Sequence, residues 1–394
     1  MQTLYQSPRD TDFFQNPFSF YQKVRATGKM VRWANYEMPV TADYTTVNTI
    51  LRNKEFVREP PLGFFSGVPK HLIPFYENES RSMLEREPPY HTRLKSLVAP
   101  FFTNKKLKQL KNDMEHLCYA LIEKIPTSEF DLISNFSQKF PVIVIAKILG
   151  VPEVMAPQLV KWSNEMVAMY QARRNKQIEI KAVAATKNFS AYIKTLLKYK
   201  NVNPSEDLMS HIIRANNSDN PLSDEEVIST IILLLNAGHE ATVHTISNGI
   251  KTILSSPFST EDLIRDPKKL ADEVLRYSTP LHMFTRYSTK KITLCGQQLD
   301  VGDKIGLLLA GANRDPEHFL EPEDFNPLLD RKTNLALGAG LHFCLGAHLA
   351  RLELEIAITS LIKKFPKMRI SQTPHYQDNF HFYGLKELFL KSSD

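Results

Sequence analysis

Cysteine is scarce in this chain of 394 residues: Cys118, Cys295 and Cys344 are all it has. They stand too far apart for the paired spacing of a zinc site, and an odd, sparse set does not build a secreted disulfide scaffold. A reducing cytosol is the expected setting. Long apolar runs are missing too. The two most apolar stretches, residues 142–149 and 228–235, fall far short of the roughly 20 residues that span a bilayer. The opening MQTLYQSPRDTDFF has neither the basic start nor the apolar run of a signal peptide, so a soluble, cytoplasmic protein without a membrane partner is expected. Internal repeats, low-complexity tracts and Gly/Ser linkers are absent as well. The charge, 49 basic against 43 acidic residues for a net +6, is mild and dispersed, and nothing in it demands nucleic acid.

What is there is ordinary globular composition, 42% hydrophobic and 23% charged. At about 150 residues per domain the length alone allows two or three domains. From about residue 100 to 275, apolar residues recur at three and four, as in LKQLKNDMEHLCYALIEKI, which predicts a succession of amphipathic helices. One start is sharply marked: Ser223 can cap a helix while Glu226 reaches back to the cap backbone. The following VISTIILLLNAGHEATVHTISNGIKTIL meets no proline before Pro257. It predicts one helix of about 30 residues, roughly 45 Å long. Between about 285 and 310 the texture turns to short strand-like runs broken by Gly296 and Gly302, the mark of a small sheet. A long irregular stretch, ANRDPEHFLEPEDFNPLLDRKTN, precedes a last helix. The fold class is mainly α with a minor β part.

The sharpest local feature is LGAGLHFCLG, residues 337–346, a glycine-rich turn that delivers Cys344 just ahead of an amphipathic helix. Unpaired amide donors and the positive end of the helix dipole favour a thiolate there. Gly346 leaves room for a flat ligand to approach the backbone, and without a second cysteine nearby one open-ended thiolate suits haem iron better than zinc. On the residues alone, a small buried hydrophobe is still the commoner reading of a single cysteine.

This loop resembles the cysteine signature of the cytochrome P450 superfamily, the haem-thiolate monooxygenases, and further segments agree in order along essentially the whole chain. Glu273 and Arg276 in DEVLR match the family's ExxR helix, where a spacing of three lets them pair on one face; a chance surface pair is the plainer alternative. GANRDPEHF, and the stretch from FDLISNF to PVIVIAKILGVP, resemble the soluble bacterial members. The resemblance implies the cytochrome P450 fold as a single domain over residues 1–394, its long central helix over a haem b bound through Cys344. His91, Lys95, Arg286 and His342 match positions that hold the haem propionates, Lys95 offering a point charge where the family usually has an arginine fork. Leu337, Gly338 and Gly346 shape the loop around the sulfur. In the long helix, Ala237 and Gly238 leave space for dioxygen, and Glu240 relays protons. His239 and His244 read as structural or surface residues, not metal ligands.

The chain departs from the family pattern in places. The family usually follows its acid with a threonine; here Ala241 takes that position, and Thr242 lies about 100° of helix rotation further on. Proton delivery is then left to a water held by the substrate's own hydroxyl, or to a helix distortion that turns Thr242 inward. Leu337 replaces the common phenylalanine seven residues before the ligand, a change that would retune the reduction potential through the packing around the sulfur. Asp324 stands where many relatives carry a basic residue that extends the Glu273–Arg276 pair.

The family pattern implies substrate-facing roles for Leu62, Phe64, Phe65, Leu234, Ala237, Leu281, Met283, Phe284 and Phe382, with His282 and His381 as polar anchors. The implied substrate is a small, largely hydrophobic molecule oxidised with O2. No flavin, dinucleotide or iron–sulfur pattern is present, so electrons come from a separate ferredoxin or flavodoxin served by an NAD(P)H-dependent reductase. Such a partner would dock weakly on Lys105, Lys106, Lys108 and Lys111, a segment equally read as a solvated face. A monomer is expected. Two other functions stay open: a peroxide-driven peroxygenase, motivated by Ala241, and a haem-dependent binding or sensor protein without turnover.

Overall fold

The box at the start of the long helix forms as its residues predict: Ser223 Oγ accepts from the Glu226 N–H at 3.2 Å, and Glu226 Oε2 accepts from the Ser223 N–H at 2.9 Å. This is a computed structural model, and it describes residues 1–59, 61, 67–215 and 221–392. Leu62, Phe64 and Phe65 therefore lie outside the described residues. The capped helix, Asp224–Leu254, is 31 residues of uninterrupted α-helix, about 46 Å long. Acids in its first turn and Lys251 in its last complement the helix dipole.

The chain divides into two compact units. One comprises Met1–Val57, Glu115–Ser137 and Ala241–Asp394, the other Arg58–Met114 and Gln138–Glu240. Every strand among the described residues falls in the first unit. Its main sheet has six strands in the order Thr3–Leu4, Val31–Trp33, Met38–Thr41, Lys304–Leu308, Met283–Ser288 and Phe56–Val57. Met283–Ser288 and Lys304–Leu308 pair antiparallel, with Phe284 opposite Leu307 and Arg286 opposite Ile305. They lie within the strand-like region expected from the sequence. The four N-terminal strands leave no mark in the sequence pattern because each is two to four residues long, too short to display the period-two alternation that marks a strand.

That alternation sorts the core. Leu308 and Met283 join one apolar cluster with Phe13, Trp33, Val40 and Phe380, while Ile305 and Leu307 join another with Val47, Ile50, Leu335 and Ala339. A two-stranded hairpin, Ile292–Leu294 with Gln297–Leu299, turns through Cys295 and Gly296, at φ 50° and 72°.

The second unit is helical. Its 27-residue helix Lys176–Val202 packs on Ala156–Val167, where the Trp162 and Phe189 rings sit 5.1 Å apart. Among the described residues no helix is long and apolar enough to cross a membrane. All three cysteines are free thiols.

Candidate active site

In the first unit the cysteine loop closes on its own backbone: the Cys344 N–H donates to the Leu337 carbonyl at 3.0 Å. The position at which this sequence departs from phenylalanine therefore holds the turn through its main chain, which leucine supplies equally well. Gly340 has φ 71°, in the left-handed region, and a side chain there would run into the Leu51 backbone. Only glycine closes this loop. The turn Gly340–His342 then presents Cys344, half-buried, ahead of Gly346 and the helix Ala347–Lys364.

The strand Met283–Ser288 lies alongside. Phe284 and Arg286 share one of its faces. Phe284 packs on the cluster containing Leu335 and Ala339, and a Cβ on Gly338 would stand 3.5 Å from its ring, so an aromatic side chain borders the loop from outside it. Arg286 is a fully buried guanidinium whose Nη1 donates to the Thr285 carbonyl at 2.8 Å. Met283, on the opposite face, sits in the core cluster with Met38, Val40 and Phe380; packing accounts for its place. Leu281 and Phe382, both half-buried, face each other in an isolated antiparallel bridge.

Glu273 and Arg276 form a buried hub, at 4% and 1% exposure, which removes the alternative of a chance surface pair. Arg276 Nε and Nη2 reach the two Glu273 carboxylate oxygens at 2.7 and 2.8 Å. The same guanidinium donates to the carbonyls of Asn313, Pro322 and Asp324, and Glu273 Oε1 accepts from the Asn326 N–H. The basic residue missing at position 324 is supplied from further along the irregular stretch: Arg331 Nε lies 3.0 Å from Glu273 Oε2. Asp324 contributes its carbonyl, which also accepts from Arg331 Nη2 at 3.1 Å. Asn313 ties the hub to the cysteine loop's approach, its Nδ2 donating to Thr279 Oγ1 and its Oδ1 accepting from the Leu335 N–H at 2.7 Å.

In the second unit His91 is buried, with Lys95 half-buried four residues on along the helix Tyr90–Val98. Leu234 is buried. Ala237 is the only exposed residue between positions 227 and 250, so this turn of an otherwise covered helix presents a surface. Gly238 has a packing reason for its smallness, since a Cβ there would come within 2.7 Å of Ile145 Cγ1. His239 is buried, its Nδ1 bonded to the Leu235 carbonyl at 2.9 Å and its Nε2 3.5 Å from Glu240 Oε2. Lys105, Lys108 and Lys111 are exposed, while Lys106 is half-buried over the Phe101 ring.

In the first unit, Ala241 is half-buried, Thr242 and His244 buried. Of the expected polar anchors, His282 is a core residue and His381 is half-buried. His282 is fully buried, Nδ1 2.8 Å from Tyr21 Oη, and burial pushes its pKa down to about 3. Burial likewise lowers His381 to about 4. Both are neutral rings at physiological pH.

Among the described residues no group of three or more His, Cys, Asp or Glu is arranged to hold a metal ion. Cys344 is thus one soft donor, with the Arg286 guanidinium and the His342 ring in its unit. This donor set fits an iron already held by a macrocycle with carboxylate arms, as in haem, and does not fit zinc.

The fold and this donor set define a haem-thiolate class of protein, and comparison with known proteins agrees. The family profile Cytochrome P450 matches residues 268–382. The chain is 30% identical to the biotin biosynthesis cytochrome P450 of Bacillus subtilis (strain 168), with 98% of each chain covered. It is 30% identical to the polyketide biosynthesis cytochrome P450 PksS of the same organism, again over 98% of each. The crystal structure of P450BioI in complex with hexadec-9Z-enoic acid ligated acyl carrier protein matches with a TM-score of 0.91 and 30% identity, covering 97% of this chain and 100% of that one. The chain belongs to the cytochrome P450 family, as a P450 monooxygenase.

Proposed function

We propose that the protein inserts one oxygen atom from O2 into a small, largely hydrophobic organic substrate, as one catalytic domain over residues 1–394, with haem b bound through Cys344. The observation that carries this is the single half-buried thiol held at a helix start by its own loop backbone, in a loop that Phe284 borders at Gly338. Haem would supply the dioxygen-activating chemistry. By the family resemblance, Arg286, His342, His91 and Lys95 would hold its carboxylates, and Glu240 would relay protons. A relative crystallised with a hexadec-9Z-enoic acid ligated carrier protein supports an apolar, chain-like or comparably greasy substrate.

Ala241 carries no hydroxyl, and its carbonyl is taken by Thr245 Oγ1 at 2.7 Å. The helix runs unbroken through this turn, which leaves Thr242 about 100° away. The substrate's own hydroxyl therefore supplies the missing group and orders a water there. A ferredoxin or flavodoxin, reduced at the expense of NAD(P)H, delivers electrons to this cytosolic monomer, and the exposed lysines at 105, 108 and 111 favour an acidic donor. A library screen for the absorbance change on displacement of iron-bound water identifies substrates. A deoxy analogue of a true hit should bind yet waste reducing equivalents; equal coupling of hit and analogue would eliminate the hydroxyl's role. Ala241 also favours a second reading, peroxide-driven oxygenation, which requires peroxide turnover to equal or exceed that with NAD(P)H, ferredoxin and reductase.

A further inference from the structure

One face of the long helix grips the C-terminal hairpin. Asn248 Nδ2 donates to the Tyr383 carbonyl at 2.7 Å, buried. One turn earlier, the His244 ring fills the space beside Gly384: a Cβ built there would overlap the ring's Cγ, Nδ1 and Cε1. Gly384 is not among the positive-φ glycines, so space and not backbone freedom requires glycine at this position. Further along, Lys251 Nζ donates to Tyr376 Oη at 3.1 Å, and Tyr376 opens the hairpin in its bridge to Leu385. Positions 244, 248 and 251 share a face at 3.6 residues per turn.

The hairpin's tip is held by a second segment as well. The Tyr383 N–H donates to the Pro280 carbonyl at 2.9 Å, and the His282 N–H to the His381 carbonyl at 3.2 Å. Phe382, between these two attachments, faces Leu281. Its backbone neighbours are pinned while its ring stays half-buried. A change in the separation between the His244 ring and Gly384 therefore shifts the bridged pair Phe382 and Leu281 together relative to the His244 turn of the helix, because close-packed interiors transmit such shifts without taking them up.

We propose that Gly384 is a specificity-determining position and His244 its gauge: the thickness of the imidazole sets how closely the hairpin lies on the helix, and so where the bridged pair Phe382 and Leu281 stands relative to that turn of the helix. This rests on the reading of Phe382 and Leu281 as substrate-facing. His244 is a positioning residue in this scheme, acting through the glycine.

The test uses haem-loaded wild type, Gly384→Ala, His244→Ala, the double variant and Phe382→Ala, each titrated with imidazole and with econazole. Both ligate the iron through an azole nitrogen, but only econazole carries bulk that must fit beside the hairpin. Gly384→Ala should weaken econazole about fivefold or more with little change for imidazole, and the double variant should regain most of that loss because the added methyl occupies the space the ring vacated. Phe382→Ala should also change econazole selectively. A Gly384→Ala protein with the wild-type econazole-to-imidazole ratio, alongside an altered Phe382→Ala, overturns the gauge and leaves the substrate-facing reading standing. A silent Phe382→Ala removes that reading, and the proposal with it. Should Gly384→Ala fail to fold, recovery of folded, haem-loaded protein in the double variant supports the contact, and its continued absence overturns it.

Discussion

Arg331 reaches back to Glu273, its Nε 3.0 Å from the carboxylate oxygen that Arg276 Nε also holds at 2.7 Å. One buried acid thus serves two arginines, and the second takes over the role of the basic residue that position 324 lacks. The two guanidinium groups together tie down the stretch around Leu320, Pro322 and Asp324 through carbonyls. Removing a partner from a buried ion pair is costly because the remaining charge stays in a low-dielectric site. Arg276→Ala should cost about 3–5 kcal/mol of unfolding free energy in urea. Arg331→Ala, which leaves Glu273 one charged partner, should cost about 1–3 kcal/mol. Arg331→Lys should recover only part of this, since an ammonium cannot span the carboxylate and the carbonyls of Leu320, Glu321 and Asp324. An Arg331→Ala midpoint equal to wild type would show the third link to be idle.

Cys344→Ala should abolish the thiolate-type carbon monoxide difference band. Because the Leu337 carbonyl bonds to the residue's N–H and not to its sulfur, the loop should keep its shape and the circular dichroism should be unchanged. Retention of the band would refute the ligand assignment.

Glu240→Gln keeps the size of the side chain and removes its proton exchange. Coupled product formation should fall by about 10²-fold or more, the lower end of general acid–base effects, while haem content stays the same. The Glu240 carboxylate also lies 3.5 Å from His239 Nε2, so thermal stability should be followed in parallel to separate a fold defect from a lost proton route. Unchanged coupling would remove Glu240 from that role.

The buried histidines set a pH dependence with a definite sign. His282 has its pKa pushed down to about 3 by burial and by the nearby Arg314, whereas a histidine in the unfolded chain titrates near 6.5. Between those values the unfolded chain binds the proton and the folded one does not. Stability contributed by neutral His282 is therefore complete above about pH 6.5 and falls by about 1.4 kcal/mol per pH unit as the solution is acidified. His282→Gln should be less stable than wild type at pH 6.5, because the Tyr21 contact and the ring packing are lost. That gap should narrow by about 2 kcal/mol by pH 5, read from urea unfolding at each pH. A gap independent of pH would mean that His282 is not held neutral.

Much of the chain was legible before any coordinates, and the legible parts share a property: they are local. The Ser223–Glu226 box, the 31-residue helix it opens, the Glu273–Arg276 spacing and the glycine turn ahead of Cys344 all involve residues within a turn or two of one another, where hydrogen-bond periodicity and φ restrictions act directly on sequence. The tertiary structure alone decided the rest. It made the Glu273–Arg276 pair a buried hub and brought in Arg331. It put Met283 in the core and Phe284 against the cysteine loop, a one-residue difference settled by strand register. It gave Gly238 a partner in Ile145 and Gly384 a partner in His244. It also buried His282, which the family pattern offered as a polar anchor. Contacts between residues far apart in the chain depend on which faces are buried together, and no local pattern records that choice. The sequence by itself thus determined the local element that carries the chemistry, a single cysteine in a glycine turn at a helix start, while packing determined how that turn, the acid hub and the hairpin around Phe382 are held.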